Sequence, residues 1–412
     1  MPSPLPRDPS VAWAESGVAA LTGHRGGPPL VPPGRAADAA RELATRIAEH
    51  SGGRVRLDGA RLLAERAALT GRTRAGASSV GGSCRLLPTA DGWAAVSCAR
   101  PDDPALLGAL IGEELPADPW PRVAAWLRAH SGAALAGRAG LLGLAAAPVR
   151  PPTAPPPALP VLPPRSVAGL LVVDFSALWA GPLCAHLLGL AGARVVKVET
   201  PARPDGARRG NPRFYDLLHA GHRSVVLDPD RPDGRRALAA LVDAADVVIE
   251  ASRPRALARW GLDAAAAVAG GTTWISITAA GRACERIGFG DDIAAAAGLV
   301  ALDDRRSPVF CGDALADPLT GLTAAVHALT APADGSGVLW DIAMTDVVAA
   351  ALPPGGPRPA PAARRGGEGW VVDTAEGPVP VAAPRARPVA GRAPAAGADT
   401  TAVLAELRIP VP

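Results

Sequence analysis

Short apolar runs alternate with longer stretches of helical period through the middle of the chain. GLLVVDF (169–175) has the pattern of a buried strand, SALWAGPLCAHLLGLAGA (176–193) that of a helix, and ARVVKVE (193–199) that of a second strand. SVVLD (224–228), DVVIE (246–250) and WISIT (274–278) supply further strands, separated by helical stretches such as GRRALAALVDAA (234–245). Strands alternating with helices predict a parallel sheet. The expected fold class is therefore α/β, with a doubly wound, Rossmann-like large domain over residues 166–352. The most membrane-like stretch, Phe175 to Ala193, carries His186 and no Asp, Glu, Lys or Arg, but contains Gly181-Pro182 and is bracketed by Asp174 and Arg194. It is expected to be a buried helix and not a span.

Upstream, SCRLLPTADGWAAVSC (83–98) reads as two strands around an Asp91-Gly92 turn, followed by amphipathic segments near Pro104–Ile111 and Trp120–His130. This gives a smaller α+β domain within residues 1–150. A polyproline run, PPTAPPPALPVLPPR (151–165), separates the two as a stiff linker of up to roughly 45 Å. A second Pro/Gly/Arg-rich linker (353–369) precedes a C-terminal unit (370–412), expected as a hairpin, WVVDTAEGPVPVA, and a last helix capped by Asp399. There is also an internal echo. Gly17-Val-Ala-Ala-Leu21, Asp38, Val55, Asp58 and Leu69 recur as Gly298-Leu-Val-Ala-Leu302, Asp317, Val338, Asp341 and Leu352. Residues 11–70 thus read as a partial repeat of the large domain.

Composition narrows the function. The chain has 412 residues with a formal net charge of +3, 48% hydrophobic and 20% charged. Lys197 is its single lysine, and acidic residues are interspersed among the arginines, so no basic stripe remains for nucleic acid. Five cysteines (Cys84, Cys98, Cys184, Cys284, Cys311), never spaced as CxxC, predict neither a disulfide framework nor a zinc site. The opening MPSPLPRDPSVAW shows no charged-then-apolar leader pattern, and a cytoplasmic location without membrane attachment is expected.

Two regions could carry chemistry. The loop DFSALWAGP after the first strand lies where a doubly wound sheet places nucleotide sites, yet it lacks GxGxxG, which disfavours a nicotinamide or flavin enzyme. Lys197 and Glu199 at the next strand end read equally well as solvated charges. The second region, Gly288-Phe-Gly-Asp-Asp-Ile293, puts adjacent carboxylates at a helix start. One of them is either an N-terminal cap or, if held dry beside an electrophile, a nucleophile.

These stretches together carry a resemblance. Leu171-Val-Val-Asp-Phe-Ser-Ala-Leu-Trp-Ala-Gly-Pro182 with LGLAGARVVKVE, then RSVVLD (223–228), ADVVIEASRPRALARWGLD (245–263), GFGDDI (288–293) and CGDALADPLTGLTAAV (311–326) resemble, in order, the family III CoA-transferases, which include formyl-CoA and carnitine-CoA transferases and α-methylacyl-CoA racemase. TADGWAAVSC resembles the family's small domain and DTTAVLAEL its C-terminal return segment, although here the small domain comes first. The resemblance implies a CoA-transferase with no permanently bound cofactor or metal. Acyl-CoA and a free carboxylic acid would be its substrates, and an aspartate would form mixed-anhydride and thioester intermediates. That aspartate falls on Asp292, with Asp291 as the neighbouring alternative. The implied CoA contacts are Trp179, Ala180, Thr200, Leu218, His219, Gly221, Ser252, Arg253 and Arg259. Thr200 stands where an arginine often stacks on adenine, and Ala251-Ser252 replaces the usual Asn-Phe. The family implies a homodimer, although the domain order here departs from its interlocked form. Racemases of the group use a histidine near the position of Gly270, and none of the seven histidines lies there, which favours transfer over racemisation. The competing reading is a catalytically degenerate CoA-binding or scaffolding relative.

Overall fold

The structure is a computed structural model that describes residues 8–355 and 359–412. Residues 1–7 of the opening and 356–358 of the second linker fall outside these residues. The small antiparallel sheet runs β1 (Cys84–Thr89), β2 (Gly92–Ser97) and β3 (Ala146–Pro148), in that spatial order. The helices Asp103–Ile111, Trp120–Ala129 and Gly132–Leu142 close it around a core of its own, built on Leu107, Leu110, Val123, Leu127 and Leu135.

The large sheet contains β4 (Leu171–Asp174), β5 (Arg194–Glu199), β6 (Arg223–Val226), β7 (Val247–Glu250) and β8 (Thr273–Thr278). After the short antiparallel pair β9 (Val300–Leu302) and β10 (Pro308–Phe310), it is completed by β11 (Val338–Ala343). The order is β11-β8-β7-β4-β5-β6 and every pairing is parallel. The chain therefore is α/β and doubly wound, as its alternating pattern predicts. Successive strands run one way from β4 and the other way from β7, so the crevice beyond the carboxyl ends of β4 and β7 is the topological switch point. The membrane-like stretch forms the helix Ala180–Leu190, buried over most of its length. No helix among the described residues is long and apolar enough to cross a membrane.

Only residues 77–79 of the segment before β1 pair with the small sheet, through Ser78 and Arg85; residues 8–70 pack on the large layer. Trp13, Ile47, Leu62 and Leu63 share one apolar core with Leu183, Leu187, Ile275, Leu319 and Trp340 of the large α/β layer. The helix Ala36–His50 is an amphipathic segment whose apolar face, Ala40, Ala44 and Ile47, is buried, and it packs against the helix Ala316–Ala328. Pro9–Ser16 ends on Gly17 and Gly290–Ala296 is followed, after Ala297, by Gly298, both glycines with left-handed backbone (φ 85° and 97°). A long helix with an acidic residue in its first turn then follows in each half, carrying Asp38 or Asp317. The likeness ends at Val55, which lies in a loop, whereas Val338 opens β11.

At the C-terminus, β12 (Arg364–Gly366), β13 (Gly369–Thr374) and β14 (Gly377–Pro380) form a small antiparallel sheet whose last two strands are the expected hairpin. The helix Thr400–Glu406 follows Asp399, but the Asp399 side chain does not cap it: Oδ2 accepts from Ser224 N of β6 at 2.8 Å. Thr400 Oγ1 accepts from Val226 N at 3.0 Å. The terminal segment thereby occupies the exposed edge of the sheet, whose unpaired amides would otherwise invite strand addition.

Candidate active site

A cavity of about 280 Å³ opens at the switch point. Its walls come from the loops after β4 (Ala177, Leu178, Ala180) and β7 (Ala251, Ser252, Arg253), the ends of β8 and β11, the stretch 284–289, and Arg100 beyond β2. The small domain thus reaches over the large sheet.

The β4 loop is fixed from below by buried charge. Lys197 and Glu199 are 1% and 4% exposed, so neither is a solvated strand end. The Lys197 ammonium donates to the Ser176 carbonyl and lies 3.1 Å from Asp205 and 3.7 Å from Asp174. Burial opposes its charge, but the two aspartates hold its pKa above the ordinary lysine value. Asp205 in turn accepts from Leu178 N at 3.0 Å, holding that residue in left-handed backbone (φ 71°). Such a conformation persists in a non-glycine residue only where its surroundings over-determine it. Glu199 pairs with Arg208 (2.5 Å).

Behind Gly288 and Phe289 lies an acidic cluster. Asp292, fully buried on the first turn of the helix Gly290–Ala296, accepts through Oδ1 from Ser97 Oγ (2.9 Å) and Phe289 N (2.8 Å). Oδ2 is buried with no hydrogen-bond partner among the described residues, and its nearest cation is Arg286, at 3.9 Å. Burial pushes the Asp292 carboxyl up to about 6, against the pull of Arg286 and of the two hydrogen bonds. Asp291 points the other way, accepting from Ala314 N at 2.9 Å, and burial with the nearby Asp313 charge raises its pKa. Asp313 is itself held by Arg66 through two bonds of 2.9 and 2.5 Å. Asp317 lines the cavity, and its carboxyl is pushed up to about 7 by burial and by the surrounding aspartates, with Arg66 opposing.

Two glycines make this crowding possible. A Cβ on Gly288 would sit 2.5 Å from Ile293 Cγ1 and 3.1 Å from Asp292 Oδ2, and one on Gly290 would sit 2.3 Å from Asp317 Oδ2. Asp292 is therefore dry and is separated from the cavity by the Gly288-Phe289 backbone. The stretch leading to that backbone is tethered where it begins: Arg282 donates to Ser276 Oγ (2.7 Å) and pairs with the buried Glu250.

Of the expected CoA contacts, Ala180, Ser252 and Arg253 line the cavity. The others do not. Trp179, Leu218 and His219 are in the core, at 0%, 0% and 1% exposure. Trp179 is held between the Arg66 guanidinium (4.9 Å) and the edge of Phe214, and His219 stacks on Tyr215. These three shape the wall from behind and present no side chain to a ligand. Thr200 is buried beside Arg203, Gly221 is exposed outside the cavity, and Arg259 is an exposed residue at a helix end. In their place the cavity has Arg100, Arg203 and Arg286. With Arg253 they form an arginine-lined mouth, and burial together with the neighbouring Arg255, Arg100 and Arg203 depresses the Arg253 pKa. Nothing local marks Arg100, which reaches the site from another sheet. Arg66, which binds Asp313, is contributed by the N-terminal segment. Among the described residues no cluster of His, Cys, Asp and Glu is arranged to hold a metal ion.

Residues 167–360, which contain the cavity floor, Asp292 and Asp317, match the profile of CoA-transferase family III. Through this segment the chain resembles CoA-transferase family III. It is 30% identical over 208 residues to a succinyl-CoA–D-citramalate CoA-transferase of Chloroflexus aurantiacus, covering 46% of this chain and 52% of that protein. It is also 30% identical over 213 residues to a succinate–glutarate CoA-transferase of Agrobacterium fabrum, covering 45% and 52%. The chain thus spans about half the length of these relatives. A solved CAIB/BAIF family protein from Brucella suis superposes with a TM-score of 0.44 at 26% identity, covering 52% of this chain and 65% of that one.

Proposed function

We propose that this protein transfers CoA between an acyl-CoA thioester and a free carboxylic acid, with Asp292 as the nucleophile. The observation that carries the reading is the asymmetry of that carboxyl group. One oxygen is fixed by Ser97 and the Phe289 amide, while the other is buried, unpartnered and next to the wall of an arginine-lined cavity. An oxygen without hydrogen bonds is the more nucleophilic one, because attack breaks no existing contact. Asp292 is preferred to Asp291, whose Oδ1 is committed to the Ala314 amide and which neighbours the Arg66–Asp313 pair.

The chemistry balances without an external acid or base. Once the Gly288-Phe289 backbone swings aside, Oδ2 attacks the thioester carbonyl, the C–S bond breaks and CoA leaves as thiolate, giving a mixed anhydride. The thiolate attacks the Asp292 carbonyl, expelling the donor carboxylate and leaving an aspartyl-CoA thioester. The acceptor carboxylate reverses these two steps and regenerates Asp292. Arg203 and Arg253 at the mouth would take the CoA phosphates, since guanidinium forks match phosphate oxygens. The relatives named above act on succinyl-CoA or succinate with small acids, which supports short acids as partners here.

The test is hydroxylamine trapping. Wild-type protein incubated with succinyl-CoA and hydroxylamine should carry a modified Asp292 peptide by mass spectrometry. Asp292→Ala should lose transfer by about a thousandfold or more, and Asp291→Ala by far less. Saturable CoA binding with an unmodified Asp292 would favour the degenerate relative, a reading motivated by the complete burial of the carboxyl group.

A further inference from the structure

Arg286 and Arg165 are the two arginines among the described residues whose buried Nε/Nη2 edge has no hydrogen-bond partner, and of the two Arg286 lines the cavity. Arg66, Arg364 and Arg387 each apply the Nε/Nη2 edge of the guanidinium to a carboxylate with both nitrogens bonded. In Arg286 the same two nitrogens are buried and have no hydrogen-bond partner among the described residues. Its one acidic neighbour within 4.0 Å is Asp292 Oδ2, at 3.9 Å, itself unbonded. The Arg286 side chain is 23% exposed in the cavity wall, but its Nε/Nη2 edge is out of water, and a cation's edge so placed favours a counter-charge. In the resting protein that counter-charge is Asp292. Under the reading above, Asp292 is neutral from the first attack until the last step, both as anhydride and as thioester.

We propose that Arg286 is the receptor for the carboxylate of the CoA-accepting acid, and that it becomes available only once Asp292 has been acylated, so that charge exchange fixes the order of substrates. While Asp292 is ionised, Arg286 has its counter-charge at 3.9 Å and an incoming carboxylate meets the like charge of Asp292. After acylation the guanidinium has lost its partner, and the ligand that replaces it is a carboxylate. It first holds the released donor acid and then the acceptor that exchanges for it, beside the aspartyl carbonyl to be attacked. Of the other charged groups around the site, Arg66 is committed to Asp313, Arg100 to Asp103 and Asp291 to the Ala314 amide, while Arg203 and Arg253 stand at the mouth, where the reading above gives them the CoA phosphates.

The inference rests on Asp292 as nucleophile, but its test does not need turnover. Asp292→Asn is a neutral isostere that keeps an oxygen for Ser97 and the Phe289 amide, and so imitates the acylated state. Binding of butyrate and of glutarate is measured by calorimetry on wild type, Asp292→Asn, Arg286→Gln and the double variant, all in the presence of CoA and with folding checked by circular dichroism. Asp292→Asn should bind at least one of the two acids about tenfold or more tightly than wild type, and Arg286→Gln should abolish that gain in the double variant. Equal affinity in wild type and Asp292→Asn, or a gain that survives Arg286→Gln, overturns the proposal. Should the double variant not fold, Arg286→Lys in the Asp292→Asn background serves: it keeps the charge but loses the planar fork, and should retain only part of the gain, whereas full retention overturns the fork as receptor. Hydroxylamine trapping on wild type reports separately on whether Asp292 reacts at all, so failure of one reading is distinguishable from failure of the other.

Discussion

Asp317 and Asp292 keep their protons to unusually high pH, and this has a consequence for stability. An acid whose pKa is higher in the folded than in the unfolded protein favours folding fully below its unfolded value, and that contribution disappears as pH rises through the folded value. With folded values of about 6 for Asp292 and about 7 for Asp317, the melting temperature should fall between pH 5 and pH 8. Asp317→Asn cannot ionise, so its curve should be flatter, with a melting temperature about 3 °C above wild type at pH 8 and near it at pH 5. Parallel curves for the two proteins by differential scanning calorimetry would show that the burial of Asp317 does not govern its titration. The same residue marks a limit of sequence reading. Asp317 stands in a string quoted for its resemblance and again in the internal echo, yet nothing local shows that its carboxyl group faces the cavity. Gly290, 27 residues upstream, makes the room for it.

At the scale of elements, the strands of the parallel sheet were legible because burial on both faces leaves Val/Ile-rich runs, as in LVVD, RVVKVE and VVIE. β11 was not read as a strand, because VLWDIA mixes an exposed aspartate into a short run at the sheet's margin. Among the expected CoA contacts, Trp179 caps the helix that follows β4 and His219 ends the helix that precedes β6, but side-chain direction depends on packing partners far away. Arg66, on the short helix Glu65–Thr70, covers Trp179 and binds Asp313. Beside it Glu65, fully buried, is held by Arg387 through two bonds of 2.8 Å, tying that helix to the C-terminal coil. Breaking one partner of such a pair strands the other charge in the core. Arg387→Ala should therefore cost about 3 kcal/mol in urea unfolding, and adding Glu65→Gln to it should restore part of the loss. A loss below 1 kcal/mol would mean that water reaches Glu65 in the folded state.

For the whole molecule, the question is what the proline-rich run 151–165 separates. Its ends are pinned, with Arg150 N donating to Ala296 O, Ala331 N to Pro163 O and Arg165 N to Leu329 O, while Thr153–Pro155 and several residues beyond are exposed. The chain on its N-terminal side supplies the helix Ala36–His50, Trp13 and Leu62–Leu63 to the core of the α/β layer, Ser97 to Asp292, Arg66 to Asp313 and Arg100 to the cavity. Apolar burial on that scale holds segments together without covalent continuity, at about 25 cal/mol per Å² removed from water. A site-specific protease sequence inserted after Pro157 should consequently be cut without dissociation: the two fragments should co-elute as one species on size exclusion, and hydroxylamine trapping at Asp292 should match the uncut protein. Residues 166–412 produced alone would leave the buried face of the helix Ala316–Ala328 uncovered and Asp313 without Arg66. They should be insoluble unless residues 1–165 are co-expressed. A soluble, monomeric 166–412 fragment that retains CoA binding would contradict this, because it would make the first 165 residues an appendage and not part of the fold that builds the site.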